Sequence, residues 1–335
     1  MVFVGIDLHK QYSYVVVLNA RGDVLDERRL VNTKVAAYIA GLAEPVHVTL
    51  EATFNWQAMV EQLEEKVAEV ALAHPKHVKA IASARIKTDK IDAQVLADLL
   101  RTNLLPTAYI PTRATRDLRD LVRHRAHLTW QRTQLKNRVH AILARYDVQR
   151  PPGGLFTRQG LAFLRSVPLR AFHRRIVDDS LLLIEQFKAS AKALDQRLVD
   201  EVAQRPLAQL LITIPGIGPY SALVVLAEID DIARFPTAKH LCSYAGLVPS
   251  THSSGGRTRH GPITKEGSPW LRTVMVEAAQ VAVRLSPTLE RYRDRIAAKH
   301  GRNAAKVAVA RKLLTSIFWM LQRREPYRDP LLATA

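Results

Sequence analysis

Two aspartates three residues apart stand in the stretch Lys87-Thr88-Asp89-Lys90-Ile91-Asp92-Ala93-Gln94-Val95-Leu96-Ala97-Asp98-Leu99-Leu100. In a helix that spacing places Asp89 and Asp92 on one face, a turn apart. Ile91, Val95, Leu96, Leu99 and Leu100 supply the apolar stripe that such a helix would bury. Two further carboxylates end or interrupt apolar runs earlier in the chain, Asp7 within residues 2–9 and Glu51 after residues 46–50. Four converging carboxylates suit Mg²⁺ or Mn²⁺, hard cations that take oxygen ligands and keep waters and substrate phosphates in their remaining positions. Two such ions about 4 Å apart stabilise both the attacking and the leaving oxygen of a phosphoryl transfer. Asp98, two turns further on, is a weaker ligand candidate. Each acid also has a plainer reading: a solvated first helical turn for the pair, an edge strand for Asp7 and a helix entry for Glu51.

A second candidate group lies near the C-terminal end, Ser250-Thr251-His252-Ser253-Ser254-Gly255-Gly256-Arg257-Thr258-Arg259-His260-Gly261-Pro262. It has neither helical nor strand period and reads as a polar loop. Arg257, Arg259 and Lys265 offer phosphate contacts, the Gly pair frees the backbone, and a serine there has access to a phosphate. A phosphate-binding loop with no covalent role fits the same residues. Upstream, Leu210-Leu211-Ile212-Thr213-Ile214-Pro215-Gly216-Ile217-Gly218-Pro219 resembles a helix-hairpin-helix element. Gly216 and Gly218 would let a phosphate approach the backbone and the next helix N-terminus; a plain helix–helix corner is the alternative.

The elements that must position these groups follow from hydrophobic period. Residues 2–9, 12–19 and 24–31 read as three strands, with a turn at 20–23. A helix at about 34–43, a strand at 46–51, a helix at about 55–68 and a strand at 69–73 follow, and the helix starting near Asp89 closes the block. A meander followed by alternating helix and strand gives an α/β fold with a mixed sheet. The ribonuclease-H-like fold has this order, and Asp7, Glu51, Asp89 and Asp92 fall where that fold gathers carboxylates. Pro106 and Pro111 mark a linker. Beyond it, Ala114, Leu118, Leu121, Arg125, Leu128, Arg132, Leu135, Val139, Ile142 and Tyr146 keep a heptad spacing broken by two arginines. A second run is Val177, Ser180, Ile184, Phe187, Ala191, Leu194 and Leu198. The two would pair with each other or with a second subunit, and the length of the seam favours dimerisation. Ser268-Pro269 and Ser286-Pro287 each open a helix, with a last helix at 303–322. The expected organisation is a metal-binding α/β domain at 1–110, a helical coiled-coil and dimerisation segment at 111–205, and a mostly α domain at 206–335 with the helix-hairpin-helix and the serine loop.

Charge narrows the function. The 335 residues carry a formal net charge of +18, which calls for a polyanion partner or an anionic membrane. Residues 1–100 hold 11 basic against 13 acidic side chains, 101–150 hold 11 against 3, and 251–335 hold 16 against 6. A slightly acidic block flanked by basic ones suits an enzyme on nucleic acid; an architectural binder has less use for the acids. The sequence has no transmembrane-length apolar run and no signal-peptide pattern, so a cytoplasmic protein is expected, nucleoid-associated when bound to DNA. One cysteine, Cys242, leaves no intramolecular disulfide or Cys-based zinc site and reads as core.

The order G-I-D-L-H-K (5–10), L-E-A-T (50–53), K-T-D-K-I-D-A (87–93), I-P-G-I-G-P, Y-A-G-L-V-P, S-S-G-G, then I-T-K-E-G with W-L-R resembles the insertion-sequence-110 family over residues 3 to 322. These are the Piv/MooV-like DEDD transposases, bacterial bridge-RNA-guided recombinases. Phe54 departs from the glycine common after E-A-T and touches the turn, not the carboxylate. The resemblance implies a RuvC-like domain with Asp7, Glu51, Asp89 and Asp92 as Mg²⁺ ligands. It also implies a C-terminal domain whose nucleophilic serine aligns with Ser253, Ser254 being second. A structured noncoding guide RNA, donor and target DNA, and a dimer or tetramer on DNA are the partners it implies. Arg272, in the W-L-R motif, joins the nucleic-acid candidates. A metal-dependent junction resolvase using water, or a non-catalytic DNA-binding protein, are the competing readings.

Overall fold

The computed structural model describes residues 1–81, 88–148 and 151–329. Lys87, the first residue of the stretch that holds the carboxylate pair, lies outside the described residues, as do the side chains of Arg257 and His260. The chain folds as two compact units, Met1–Pro111 and Thr112–Ala335.

In the first unit, β1 (Val2–Leu8), β2 (Tyr12–Leu18) and β3 (Val24–Val31) form an antiparallel meander. After α1 (Asn32–Ala40), β4 (Val46–Glu51) returns parallel to β1. After α2 (Trp56–Leu63), β5 (Glu69–Ala73) runs parallel to β4. α3 (Pro75–Ile81), α4 (Asp89–Arg101) and the two-residue β6 (Thr107–Ala108), antiparallel to β5, complete a six-stranded mixed sheet of order β3-β2-β1-β4-β5-β6. The α/β expectation holds, and α3 and β6 are additions to it. β6 occupies ground read from Pro106 and Pro111 as linker.

Alternation along β1 sorts its side chains by face. Val2, Val4, Ile6 and Leu8 are buried in a core with Val35 and Ile39 of α1 and Met59, Val60 and Leu63 of α2. Phe3, Gly5 and Asp7 form the other row. There α4 lies on β1 and β2, with Ala93 and Ala97 packed on Val16, Leu18 and Phe3. The approach is so close that a β-carbon at Gly5 would stand 1.9 Å from the Ala93 carbonyl oxygen and 2.7 Å from the Ala97 nitrogen. Only a residue without a side chain fits there.

The second unit is mostly helical. α5 (Arg113–Leu143), α6 (Arg158–Ser166) and α7 (Ala171–Ala203) come first. α5 and α7 pack on each other within the chain. Val177, Ser180, Ile184, Ala191 and Leu198 of the second heptad run are buried. Arg125, a polar break in the first run, donates to Asp195 of α7 at 2.9 and 3.1 Å. Within the chain the two heptad runs therefore face each other, the first of the two pairings that the sequence allowed.

α8 (Pro206–Leu211), α9 (Pro219–Ile229) and α10 (Ala238–Tyr244) follow, then β7 (Pro249–Ser254) and β8 (Arg257–Ile263), then α11 (Pro269–Leu285) and α12 (Pro287–Arg323). Gly301, at φ 82°, ψ 166°, divides α12 into two helical runs. Ser268 and Ser286 cap α11 and α12 as their Ser-Pro pairs predict, accepting from Leu271 and Leu289. Cys242 is buried in the core that these helices share.

The serine stretch corrects the expectation. It is an antiparallel hairpin rather than a loop: Ser253 pairs with Thr258 and Ser254 with Arg257. Gly255 and Gly256, at φ 56° and 76°, make its two-residue turn. Consecutive positive φ values are what a tight hairpin of right-handed twist requires.

Candidate metal-binding and catalytic site

The first site is built by the β1–α4 contact. Thr88 caps α4, its hydroxyl accepting from the Ile91 amide at 3.2 Å, so Asp89 and Asp92 fall in the first turn. There the helix dipole favours carboxylates. Moving from Gly5 to Asp7 covers about 6.6 Å of strand, and moving from Ala93 back to Asp89 covers about 6 Å of helix. A helix docked at Gly5 through Ala93 therefore brings Asp89 level with Asp7.

Asp7, His9 and Asp89 each offer a ligand atom, and these atoms lie within 4.8 Å of one another. His9 Nε2 stands 3.0 Å from Asp7 Oδ2 and 3.3 Å from Asp89 Oδ2. Tyr12 stacks on the His9 ring at 4.6 Å and donates its hydroxyl to Asp89 at 3.3 Å. The His9 carbonyl accepts from the side-chain amides of Asn32 and Asn55, both at 2.9 Å. These bonds tie the end of β1 to the start of α1 and to the turn after β4.

The other two carboxylates are placed differently. Ile6 pairs with Leu50, so Glu51 follows beside Asp7 on the neighbouring parallel strand. Asp92 is near enough for its charge to act on Asp7. Burial, the larger cause, raises the Asp7 pKa above the ordinary carboxylate value; Asp89 and Asp92 raise it further, and His9 opposes them. Asp98 is turned to a different use and bonds Arg101 at 2.9 Å. Phe54, at the departure from the family pattern, is 83% exposed in the turn after Glu51.

The donor set fits a divalent cation. Carboxylate oxygens dominate it, and mutual repulsion around a half-buried Asp7 is what a cation relieves. Imidazole nitrogen adds a softer donor compatible with Mn²⁺ as well as Mg²⁺. His9 is the residue that the four-carboxylate reading missed. Its signal was its position two residues from Asp7, which puts both on one face of an extended chain.

The second group is less uniform than its sequence suggested. Ser253 Oγ lies 2.9 Å from Thr258 Oγ1 on the exposed hairpin. Arg259 pairs with His252 across the hairpin, and Lys265 is exposed at φ 54° beyond it. Arg272 gives one nitrogen to the Ala245 carbonyl at 3.0 Å and so tethers α11 to the end of α10. Gly216 and Gly218 do different work. A β-carbon on Gly216, at φ 88°, would meet the Ala278 carbonyl oxygen of α11 at 2.7 Å. Gly218 faces open space at the start of α9.

Acids gathered at the strand ends of a mixed sheet, in a chain with a large cationic excess, define an enzyme that processes nucleic acid. The family profile of the DEDD transposases of IS110 type matches residues 4–147, the span that holds all four carboxylates. That of the transposase IS116/IS110/IS902 family matches residues 208–294, which include the hairpin. A probable family 20 transposase of Pseudomonas aeruginosa is 28% identical, covering 97% of this chain and 98% of that protein. The transposase for insertion sequence element IS1111A of Coxiella burnetii is 26% identical over 97% of this chain and 90% of its own length. The pilin gene-inverting protein of Moraxella bovis is 26% identical over 84% and 82%. The chain belongs to the IS110/IS116/IS902 transposases. It is a DNA transposase, which sets aside a purely non-catalytic DNA binder, and divalent metal use comes with its DEDD class. Among the described residues, no helix is long and apolar enough to cross a membrane.

Proposed function

We propose that this transposase cuts and rejoins donor and target DNA at a RuvC-like, ribonuclease-H-like centre formed by Asp7, Glu51, Asp89 and Asp92. The observation that carries this reading is the convergence of Asp7 and Asp89 where α4 presses on Gly5. Mg²⁺ or Mn²⁺ bound there supplies charge stabilisation at the phosphorus. The chain's own part is to hold the carboxylates in position: β1 and β4 present Asp7 and Glu51, the Thr88 cap presents Asp89 and Asp92, and His9 and Tyr12 fix the orientation of the aspartates.

Ser253 is the proposed nucleophile and Ser254 the second choice. The Oγ–phosphorus bond formed replaces one sugar oxygen–phosphorus bond; the serine proton is lost and the departing sugar oxygen takes one up. The ester retains the bond energy for rejoining, which hydrolysis would lose. The Moraxella relative's name supports the rejoining step, since inverting a gene requires that ends be rejoined. Arg257 and Arg259 would neutralise the phosphate. Lys265, Arg272 and the open backbone at Gly218 would hold nucleic acid nearby, while Gly216 would set the close packing of that turn on α11. The region 111–205 is read as the segment that organises a homo-oligomer, a dimer or a tetramer on DNA, and 206–335 as the domain that carries the serine. A structured noncoding bridge RNA, pairing with both DNAs, completes the proposal; the cationic excess accommodates it.

One observation favours a second reading. The Ser253 hydroxyl is bonded to another hydroxyl, that of Thr258, and a neutral serine needs a base to attack. Water would then be the nucleophile, as in a junction resolvase. A DNA substrate spanning the element's end separates the two. Wild type is expected to leave a protein–DNA adduct that survives denaturation, and Ser253→Ala to bind without forming it. Cleavage with no adduct in wild type would make water the nucleophile.

A further inference from the structure

Residues 121–146, which form most of α5 and the turn after it, contain no Asp or Glu but hold Arg123, Arg125, Arg132, Lys136, Arg138 and Arg145. In the middle of this acid-free stretch stands Trp130, 55% exposed. More than half of this large ring is thus left in water on a long charged helix. It is nevertheless not loose. Its ring stacks on that of Trp270, the second residue of α11, with centroids 5.1 Å apart and planes 19° from parallel.

The support beneath this stack is rigid. Arg123, two turns back on the same face of α5, lies over the Trp270 ring at 5.5 Å. Its guanidinium also bonds the carboxylate of Glu228 at 2.7 Å, and Glu228 is 2% exposed. The other oxygen of Glu228 accepts from Ser268 at 3.0 Å, and Ser268 caps the helix that carries Trp270. An ion pair to a buried carboxylate, a helix cap and one indole thus fix the position of a second indole. With one ring face against Trp270, the exposed surface of Trp130 is its other face and edge. Gln134, Asn137 and Arg138 follow it on that side of α5, and all are exposed.

A flat aromatic face held still beside cations matches a nucleobase that has left its stack. Single-strand binders use the same combination, rings for bases and a positive track for phosphates. A paired base inside a duplex hides its faces against its neighbours and has none to offer. We propose that Trp130, backed by Trp270, is a stacking platform for an unpaired base of the DNA substrate, with Arg138 and the acid-free face of α5 following the adjoining phosphates. Cation–anion complementarity along α5 selects a polyanion, and the DNA on which this transposase acts is the occupant assigned.

The test uses the full-length protein with fluorescently labelled oligothymidylate of about 12 nucleotides, a duplex of the same length and oligouridylate, measured by anisotropy. Stacking of one base on one aromatic ring corresponds to about 5- to 150-fold in affinity. Trp130→Ala is expected to weaken oligothymidylate binding by that factor, with the duplex unaffected. Trp130→Phe should keep most of the affinity because it keeps a ring. Log affinity against log salt should retain its slope in Trp130→Ala, since no phosphate contact is lost. Thermal unfolding of the three proteins identifies any loss that comes from the fold. Unchanged single-strand binding in a folded Trp130→Ala overturns the platform. An equal loss on duplex overturns its selectivity for unpaired bases. A loss confined to oligouridylate overturns the assignment to DNA.

Discussion

Gly5 and Asp7 illustrate how much one side chain decides here. A methyl group at Gly5 would collide with backbone atoms of α4, which have no rotamer to yield. Gly5→Ala should therefore cost about 3 kcal/mol or more, the upper part of the overpacking range. It should also lift the start of α4 off β1. Calorimetry should show a lower Tm, and Mn²⁺ or Mg²⁺ should no longer raise it. Asp7 makes the opposite prediction. Burial first, and then Asp89 and Asp92, hold its folded pKa above the ordinary value. The metal-free fold therefore loses stability as pH rises from the unfolded pKa through the folded one. Asp7→Asn removes that loss. Without metal it should unfold at a higher temperature than wild type at neutral pH, and the two should converge in acid, where both side chains are neutral. A metal-free Asp7→Asn that unfolds earlier than wild type at neutral pH would contradict this. At this scale the sequence was readable wherever a side chain repeated at a period: the Asp89–Asp92 spacing gave a common face. His9 was readable only in part: its place two residues from Asp7 put both on one face, but an imidazole there gains its meaning only when Asp7 and Asp89 close on it.

Among the elements, the seam of α5 and α7 was legible as heptads, but its partner was not. Period fixes which face is apolar and is silent on whether the facing helix belongs to the same chain. The arginine at position 125 looked like a defect in the seam and proves to be bonded to Asp195. Both groups keep some exposure, so solvent screens the pair and each truncation should cost about 1 kcal/mol or less. Arg125→Ala, Asp195→Ala and their double variant should be non-additive, with a coupling that does not change with protein concentration, as expected of two residues of one chain. A coupling that grew with concentration would place the pair across subunits. The hairpin β7–β8 escaped the strand reading for a different reason. Strands are recognised by a buried apolar face, and residues 251–256 are all exposed. The Gly-Gly turn was its one local sign. Likewise α3 and β6 are too short to show a period.

For the molecule as a whole, the cationic excess sits outside the block that holds the carboxylates, with 11 basic against 3 acidic residues at 101–150 and 16 against 6 at 251–335. Net charge alone does not say which of these cations touch DNA, but their partners narrow the choice. Arg293 is already bonded to Glu290 and Asp294, at 3.2 and 2.7 Å. Arg295 lies over Tyr292. Arg302 and Lys306, just past the break at Gly301, line a cleft of about 390 Å³ with Arg293, Asp294 and Ala297 on one side and Ala279, Gln280 and Val283 of α11 on another. A cation already paired to a carboxylate releases fewer counterions from a phosphate than one facing open space. Each lost phosphate contact lowers the slope of log affinity against log salt by about 0.9 for duplex DNA. Arg302→Ala with Lys306→Ala should therefore flatten the slope by about 1 to 2, and Arg293→Ala by less than half as much. Arg175, 79% exposed on its side chain but bonded to Asp179, is the control and should leave the slope alone. An Arg302/Lys306 variant with the wild-type slope would assign that cleft to solvent, and DNA contact would then rest on the other basic segments.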